Sequence, residues 1–338
     1  MIKLHLVKIK PFILTLILLL AGQSCSDDDN NSNNNQQNNI VNVALENNLN
    51  TFALALELTD LQSTLEDSGP FTVFAPSDDA FTEFLIASNI DITNMNASQI
   101  VFLRNILLNH VVADNILSST DIAALGMGYL KTEADGVGGN DINLYYELDN
   151  SVVRLNDESS VLESDIYASN GIIHIISDVI PLPTIMTFIK ADSNLSSLND
   201  ALTQDGQEQL LETLTIPNLL SPSPFTLFAP QNSAFLDFVN SNPEINSIDD
   251  IDDETLRSVL QHHVIVESNL RASELSNGAT IETLEGDSII VSSIGNDNNQ
   301  TSLEDGAGNT DIDILQVNIQ ADNGVIHIIE SILIPNIE

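Results

Sequence analysis

Six histidines stand in the chain, and four of them form two matched pairs: His110 with His263, and His174 with His327. Each of these four lies among aliphatic residues. An imidazole there could act as a base or a metal ligand. The structural reading is a buried neutral ring that donates to a carbonyl or carboxylate. Zinc asks for three or four ligands, and the chain has neither an HExxH stretch nor paired cysteines, so no metal ligand is assigned. His262 has no counterpart and falls off the apolar face of its helix, which predicts exposure to solvent. Asp249, Asp250, Asp252, Asp253 and Glu254 could hold Ca²⁺ through hard oxygen ligands, as could Asp297, Asp305, Asp311 and Asp313. Neither set has the EF-hand spacing, and the first reads more simply as the cap of a helix beginning near Glu254. No Gly-x-Ser-x-Gly elbow, phosphate-binding glycine loop or cysteine nucleophile follows the N-terminal segment. No catalytic residue is therefore assigned, and the protein is expected to be non-enzymatic.

The elements that carry these residues occur twice. Phe71-Thr72-Val73-Phe74-Ala75-Pro76 returns as Phe225-Thr226-Leu227-Phe228-Ala229-Pro230, 154 positions on. Leu103-Arg104 through His110-Val111 returns as Leu256-Arg257 through His263-Val264, and Ala168 through Ile176 returns as Ala321 through Ile329, both offset by 153. Three motifs in one order at a near-constant offset mark a duplication of whole domains. The Phe-Thr-Val-Phe alternation predicts a strand. Ser77 is placed to cap the helix that follows, with Asp78 and Asp79 in its first turn, where the dipole favours anions; Asn232 is expected to cap the equivalent helix. Leu103, Ile106, Leu107 and His110 share one helical face, as do Leu256, Val259, Leu260 and His263. Asn170-Gly171 and Asn323-Gly324 predict turns in which glycine takes positive φ. Pro181, Pro183 and Pro335 stop the closing strands, the first of which is expected to end near Ile180. The next helix is placed near Thr184, so Pro181-Leu182-Pro183 forms a short extended linker. That predicts a bent, fairly rigid pair of domains, with Leu182 and Ile185 at a small interface. Gly295 to Asp311 reads as a long hairpin loop.

The N-terminus suggests the compartment. Lys3, Lys8 and Lys10 precede an apolar run from Phe12 to Ala21, the layout of a secretory signal. Cys25, the chain's one cysteine, follows directly and reads as a lipidation site closing a signal segment over 1–25. Ser26-Asp27-Asp28-Asp29 resembles the acidic export tag of surface-exposed lipoproteins in some Gram-negative bacteria; the plainer reading makes it the start of a solvated tether. Residues 26–39 are all Asp, Asn, Ser and Gln, a composition with nothing to bury, so a disordered tether is expected, and such a coil spans about 20 Å. The net charge is −40. Acidity on that scale repels nucleic acid and anionic headgroups, so no nucleic-acid partner is expected and membrane contact is assigned to the lipid anchor alone.

Together the "TVFAP" box, the helix ending in Asn-His or His-His and the "NGxIHxI" strand resemble the fasciclin domain family, over nearly everything from Ile40 to Glu338. The resemblance implies an α+β fold: two tandem domains, over 40–183 and 184–338, each a β-wedge of two sheets with packed helices. It also implies adhesion or matrix contact without catalysis, and it makes His110, His174, His263 and His327 motif residues with a structural role. Asp165-Ile166 resembles the Asp-Ile adhesion motif of animal fasciclin domains, with Asn318-Ile319 at the matching place; the structural alternative has the isoleucine in the core and the polar residue satisfying a turn. The expected protein is a lipid-anchored, cell-surface-exposed outer-membrane lipoprotein whose partner is an extracellular protein or glycan. Two other readings stay open: capture of a glycan or small ligand beside an outer-membrane uptake system, and a hydrolase whose site has no sequence signature.

Overall fold

A computed structural model describes residues 38–293 and 301–336. Cys25, Ser26 to Asp29 and Asp297 lie outside the described residues.

In the first copy, helices α1 (Ile40–Glu46), α2 (Asn50–Leu58) and α3 (Gln62–Glu66) lead into β1 (Phe71–Pro76). Then come α4 (Asp78–Ala87), α5 (Ala97–Leu108), β2 (Val111–Ala113), α6 (Ser119–Leu125), β3 (Met127–Asp135), β4 (Asp141–Asp149), β5 (Val152–Leu155), β6 (Ser159–Ala168) and β7 (Gly171–Ile176). The second copy runs α7 (Ile185–Ala191), α8 (Ser196–Leu202), α9 (Glu208–Leu214), β8 (Phe225–Pro230), α10 (Asn232–Ser241), α11 (Asp253–His262) and β9 (Val264–Ile265). It closes with β10 (Thr280–Glu282), β11 (Ser288–Ser293), β12 (Ser302–Glu304), β13 (Ile312–Ala321) and β14 (Gly324–Ile329).

The two copies share one strand order. The first is β3-β4-β5-β6-β7-β1-β2 and the second β10-β11-β12-β13-β14-β8-β9. β1 lies parallel to β7, and β8 parallel to β14; every other pairing is antiparallel. The two sheets of each wedge are joined through a long bent strand. β6 pairs with β5 at one end and β7 at the other, with register shifts between Val161 and Ile166. β13 repeats this between Ile314 and Ile319. Bulges bend a strand and increase its twist, which lets one strand serve two sheets.

β1 shows why its sequence alternates. Val73 and Ala75 face the helices, with Phe52, Leu103 and Ile106. Phe74 points the other way, between the sheets, with Leu144, Tyr146, Leu155 and Ile176. Leu227 and Phe228 divide in the same manner in the second copy. Each Phe-Thr-Val/Leu-Phe strand is thus buried on both faces.

Several sequence expectations are corrected. Gly171 and Gly324 are not at positive φ. They are glycines because the parallel partner comes too close: a Cβ would sit 2.2 Å from the Phe71 carbonyl oxygen or 2.3 Å from that of Phe225. Asn232 does not cap α10, whose N-cap is Gln231. Its amide oxygen accepts from Ser197 N–H at 2.9 Å, capping the start of α8, as Asp78 accepts from Thr51 N–H at 2.8 Å on α2. The expected long loop before Asp311 contains strand β12, because Leu303 fills the second wedge. The first closing strand ends at Ile176, not near Ile180.

Candidate functional site

The motif residues converge on the two corners where loops are tied to the sheet. His110 follows α5, is fully buried, and donates from Nδ1 to the Ile106 carbonyl at 2.7 Å. Its Nε2 accepts from Ile180 N–H at 2.9 Å. His263 makes the same pair with the Val259 carbonyl and Leu333 N–H. Burial pushes the His110 imidazole down to about 4 and His263 to about 3, so both rings are neutral. His174 and His327 stack on Phe74 and Phe228 and donate from Nε2 to the Leu117 and Leu270 carbonyls. Thr72 and Thr226 hold the same two loops: each hydroxyl accepts from Leu117 or Leu270 N–H and donates to the carbonyl of Asn115 or Ser268. These contacts turn each paired histidine toward backbone rather than toward solvent.

Asp165 and Asn318 occupy the strand bulges at φ 64° and 63°. The Asp165 carboxylate accepts from Ser119 N–H at 2.8 Å and from the Ser119 hydroxyl, holding the start of α6. Asn318 Oδ1 accepts from Ala272 N–H at 2.8 Å in the corresponding turn. Ile319 is buried with the second copy's helices, and Ile166 packs half-buried against the first. The polar residue at each bulge is thus engaged by its own domain.

Beside Asp165 the first copy opens a cleft of about 460 Å³. Ser119, Ile122, Leu148, Val152, Leu162 and Ser164 line it, and His174 forms part of its floor. Leu162 and Val152 stand on its rim, 64% and 44% exposed. No single stretch of sequence marks this cleft, since its walls come from α6, β4, β5 and β6.

The acidic residues have mostly local uses. Asp252 caps α11 through Thr255 N–H, and Asp250 accepts from Asn246 and Ser247 N–H. Asp305 is buried and accepts from Asn309 and Ile334 N–H, while Asp313 accepts from the Ser302 hydroxyl. Asp311 is exposed. His262 corrects the sequence reading most sharply. It is fully buried, because the turn between β10 and β11 and the turn at 305–309 close over the end of α11. A helical wheel sees only one helix, and these covering segments belong to others.

The fold is that of a paired β-wedge with helices packed on one sheet of each wedge. The fasciclin domain profile matches residues 47–183 and 193–335, and the chain belongs to that family. It is similar to the pig transforming growth factor-beta-induced protein ig-h3, 30% identical over 251 residues, which is 74% of this chain and 32% of that protein. A Synechocystis protein, sll1483, is 33% identical over 145 residues, covering 43% of this chain and 73% of its own length. Mouse stabilin-2 is 28% identical over 240 residues, 67% of this chain but 9% of its own. The chain thus spans a third or less of the large animal relatives. A solved FAS1 domain pair from the insect cell adhesion molecule Fasciclin I superposes with a TM-score of 0.51 at 18% identity, over 87% of this chain and 98% of that one, a likeness of fold. Among the described residues no helix is long and apolar enough to cross a membrane.

Proposed function

We propose that this protein is a non-enzymatic surface lipoprotein, held to a bacterial outer membrane through Cys25, whose tandem fasciclin domains mediate adhesion or matrix and biofilm contacts. The observation that carries the reading is the open cleft beside Asp165, with the exposed aliphatic rim of Val152 and Leu162. Exposed apolar side chains at the mouth of a cleft lined by both aliphatic and hydroxyl side chains suit a binding face. The paired histidines, turned inward and neutral, favour binding over proton transfer. The insect structure of this fold comes from a cell adhesion molecule, which agrees.

The test is a binding array of extracellular proteins and glycans probed with the full chain and with a Val152→Asp/Leu162→Asp variant. A hit lost in the variant at unchanged melting temperature supports the reading. Binding indifferent to that pair removes the cleft from it. Cys25→Ser should release the protein from membranes, since the acyl chains supply the attachment; unchanged fractionation would refute the anchor. A second reading, capture of a glycan or small ligand, draws on the cleft's volume, which falls within the range of small-molecule pockets. Saturable binding of a free monosaccharide or oligosaccharide in the array would favour it.

A further inference from the structure

The end of α11 departs from its counterpart in the first copy. Where Asn109 donates to the Ile180 and Pro181 carbonyls, the second copy has His262. Its ring meets Glu285 and Asp287, which stand two residues apart on the turn from β10 to β11. One ligand atom from each of the three lies within 4.8 Å of the others. His262 Nδ1 is 3.7 Å from a Glu285 oxygen. His262 is buried, whereas Glu285 and Asp287 are partly open to solvent.

Two further observations set this cluster apart. The four motif histidines make contacts of 2.7–2.8 Å through at least one nitrogen. His262 has only long ones: 3.3 Å from Nδ1 to the Thr283 hydroxyl and 3.3 Å from Nε2 to Gly306 N–H. A buried ring so weakly held is poorly satisfied by its own protein. The local charge is also unbalanced. Glu285, Asp287 and the buried Asp305 surround the imidazole, and among the described residues no lysine or arginine pairs with any of them. Like charges gathered at the edge of a core repel, and a divalent cation offsets that repulsion.

We propose that His262, Glu285 and Asp287 form a site for a borderline divalent transition metal, with zinc the best match. One imidazole nitrogen and two carboxylates are a donor set that zinc accepts at about 2.0–2.2 Å, whereas calcium takes oxygen ligands alone. The ligand atoms must close in by roughly an ångström to meet such bond lengths. Glu285 and Asp287 can make that move because they sit on a short hairpin turn and reach solvent. Metal on Nδ1 places the ring proton on Nε2, so the imidazole stays neutral and the long Gly306 contact is given up. Three protein ligands leave the remaining position to water. Asp305 adds charge without ligating, since it stands outside the trio whose ligand atoms lie within 4.8 Å of one another. The site joins the end of α11 to the β10–β11 turn, and Asp287 also accepts from Asn336 N–H, so metal would pin the C-terminal segment to the wedge.

The full chain, stripped with chelator, is titrated with zinc chloride by calorimetry near neutral pH, and its melting temperature is read with and without metal. His262→Asn restores the residue type of the first copy; Glu285→Gln removes a ligand charge from an accessible side chain. The expected result is one tight equivalent in the wild type, weakened at least ten-fold in both variants, and a zinc-dependent rise in melting temperature that both variants lose. Glu285→Gln without metal should melt no lower than the wild type, since it only relieves repulsion among the carboxylates, and this separates ligation from a structural role. Equal zinc affinity in all three proteins would assign binding elsewhere and overturn the proposal. No zinc binding by the wild type, or a calcium response equal to the zinc response and indifferent to His262→Asn, would overturn it too.

Discussion

His110 offers a simple test of buried neutral histidine. The ring is sealed between the Ile106 carbonyl and Ile180 N–H, and no charged group contributes to its shift; burial alone lowers its pKa to about 4. The unfolded chain has an ordinary imidazole near 6.5. Below that value the unfolded state takes up a proton that the native state refuses, so stability falls as pH drops from about 6.5 toward 4, and it is flat in this respect above 7. At pH 5 the loss is about 2 kcal/mol for His110. His327, also lowered to about 4 by burial, adds a similar amount. Urea unfolding at pH 7 and pH 5 measures this, and equal midpoints would refute it. His110→Ala should cost about 2–4 kcal/mol at pH 7, through lost packing and an orphaned Ile180 N–H. The burial of His110 and His263 was legible because each continues the aliphatic stripe of its own helix. The burial of His262 was not, because its cover comes from residues 283–287 and 305–309, far along the chain.

Among the elements, the bulged strands β6 and β13 carry the most information. They connect the two sheets of each wedge, and at the bend each places a polar residue against a loop from the other side of the domain. Asp165 holds the start of α6 as an N-terminal cap would, so Asp165→Ala should destabilise by about 1–2 kcal/mol. Asp165→Asn should cost little, since Asn318 does the same work in the second copy. That pair separates folding from recognition. If Asp165→Asn keeps the melting temperature but abolishes binding in the array, the carboxylate has a role beyond the bulge. Gly171→Ala is a harsher test, because its Cβ would meet the Phe71 carbonyl within the parallel β1–β7 pair. Overpacking of this kind costs about 1–3 kcal/mol or more. The sequence pointed to glycine there through an Asn-Gly turn signal, but the physical reason is a backbone approach that only strand pairing reveals. The duplication, in contrast, was fully readable, since matched motifs at one offset require matched elements.

At the scale of the whole molecule, the two copies are joined by more than their linker. Leu182 and Ile185, expected at the interface, instead pack into the helical cores of the first and second copy respectively. The interface is built by β3 and β4. Period-two alternation along β4 sends Tyr146 into the first wedge and Tyr145 outward into the second copy's core, where it is 2% exposed. Tyr129 stacks edge-on against Phe188 and donates to Asp192 at 2.8 Å. Asn143 Oδ1 accepts from Gln320 N–H at 2.7 Å, and Ser193 donates to Glu147. Aromatic anchors with satisfied polar partners resist relative motion better than two prolines alone. Solution scattering should therefore fit one interdomain arrangement. Tyr145→Ala removes the anchor while leaving Pro181 and Pro183 in place, and it should broaden the profile into an ensemble of angles. It should also lower the second copy's stability by about 3–5 kcal/mol, as truncation of a buried aromatic does. If the Tyr145→Ala profile matches the wild type, the prolines set the angle and the aromatic contact is incidental. If the wild type itself requires an ensemble, the two copies move independently and neither device holds them.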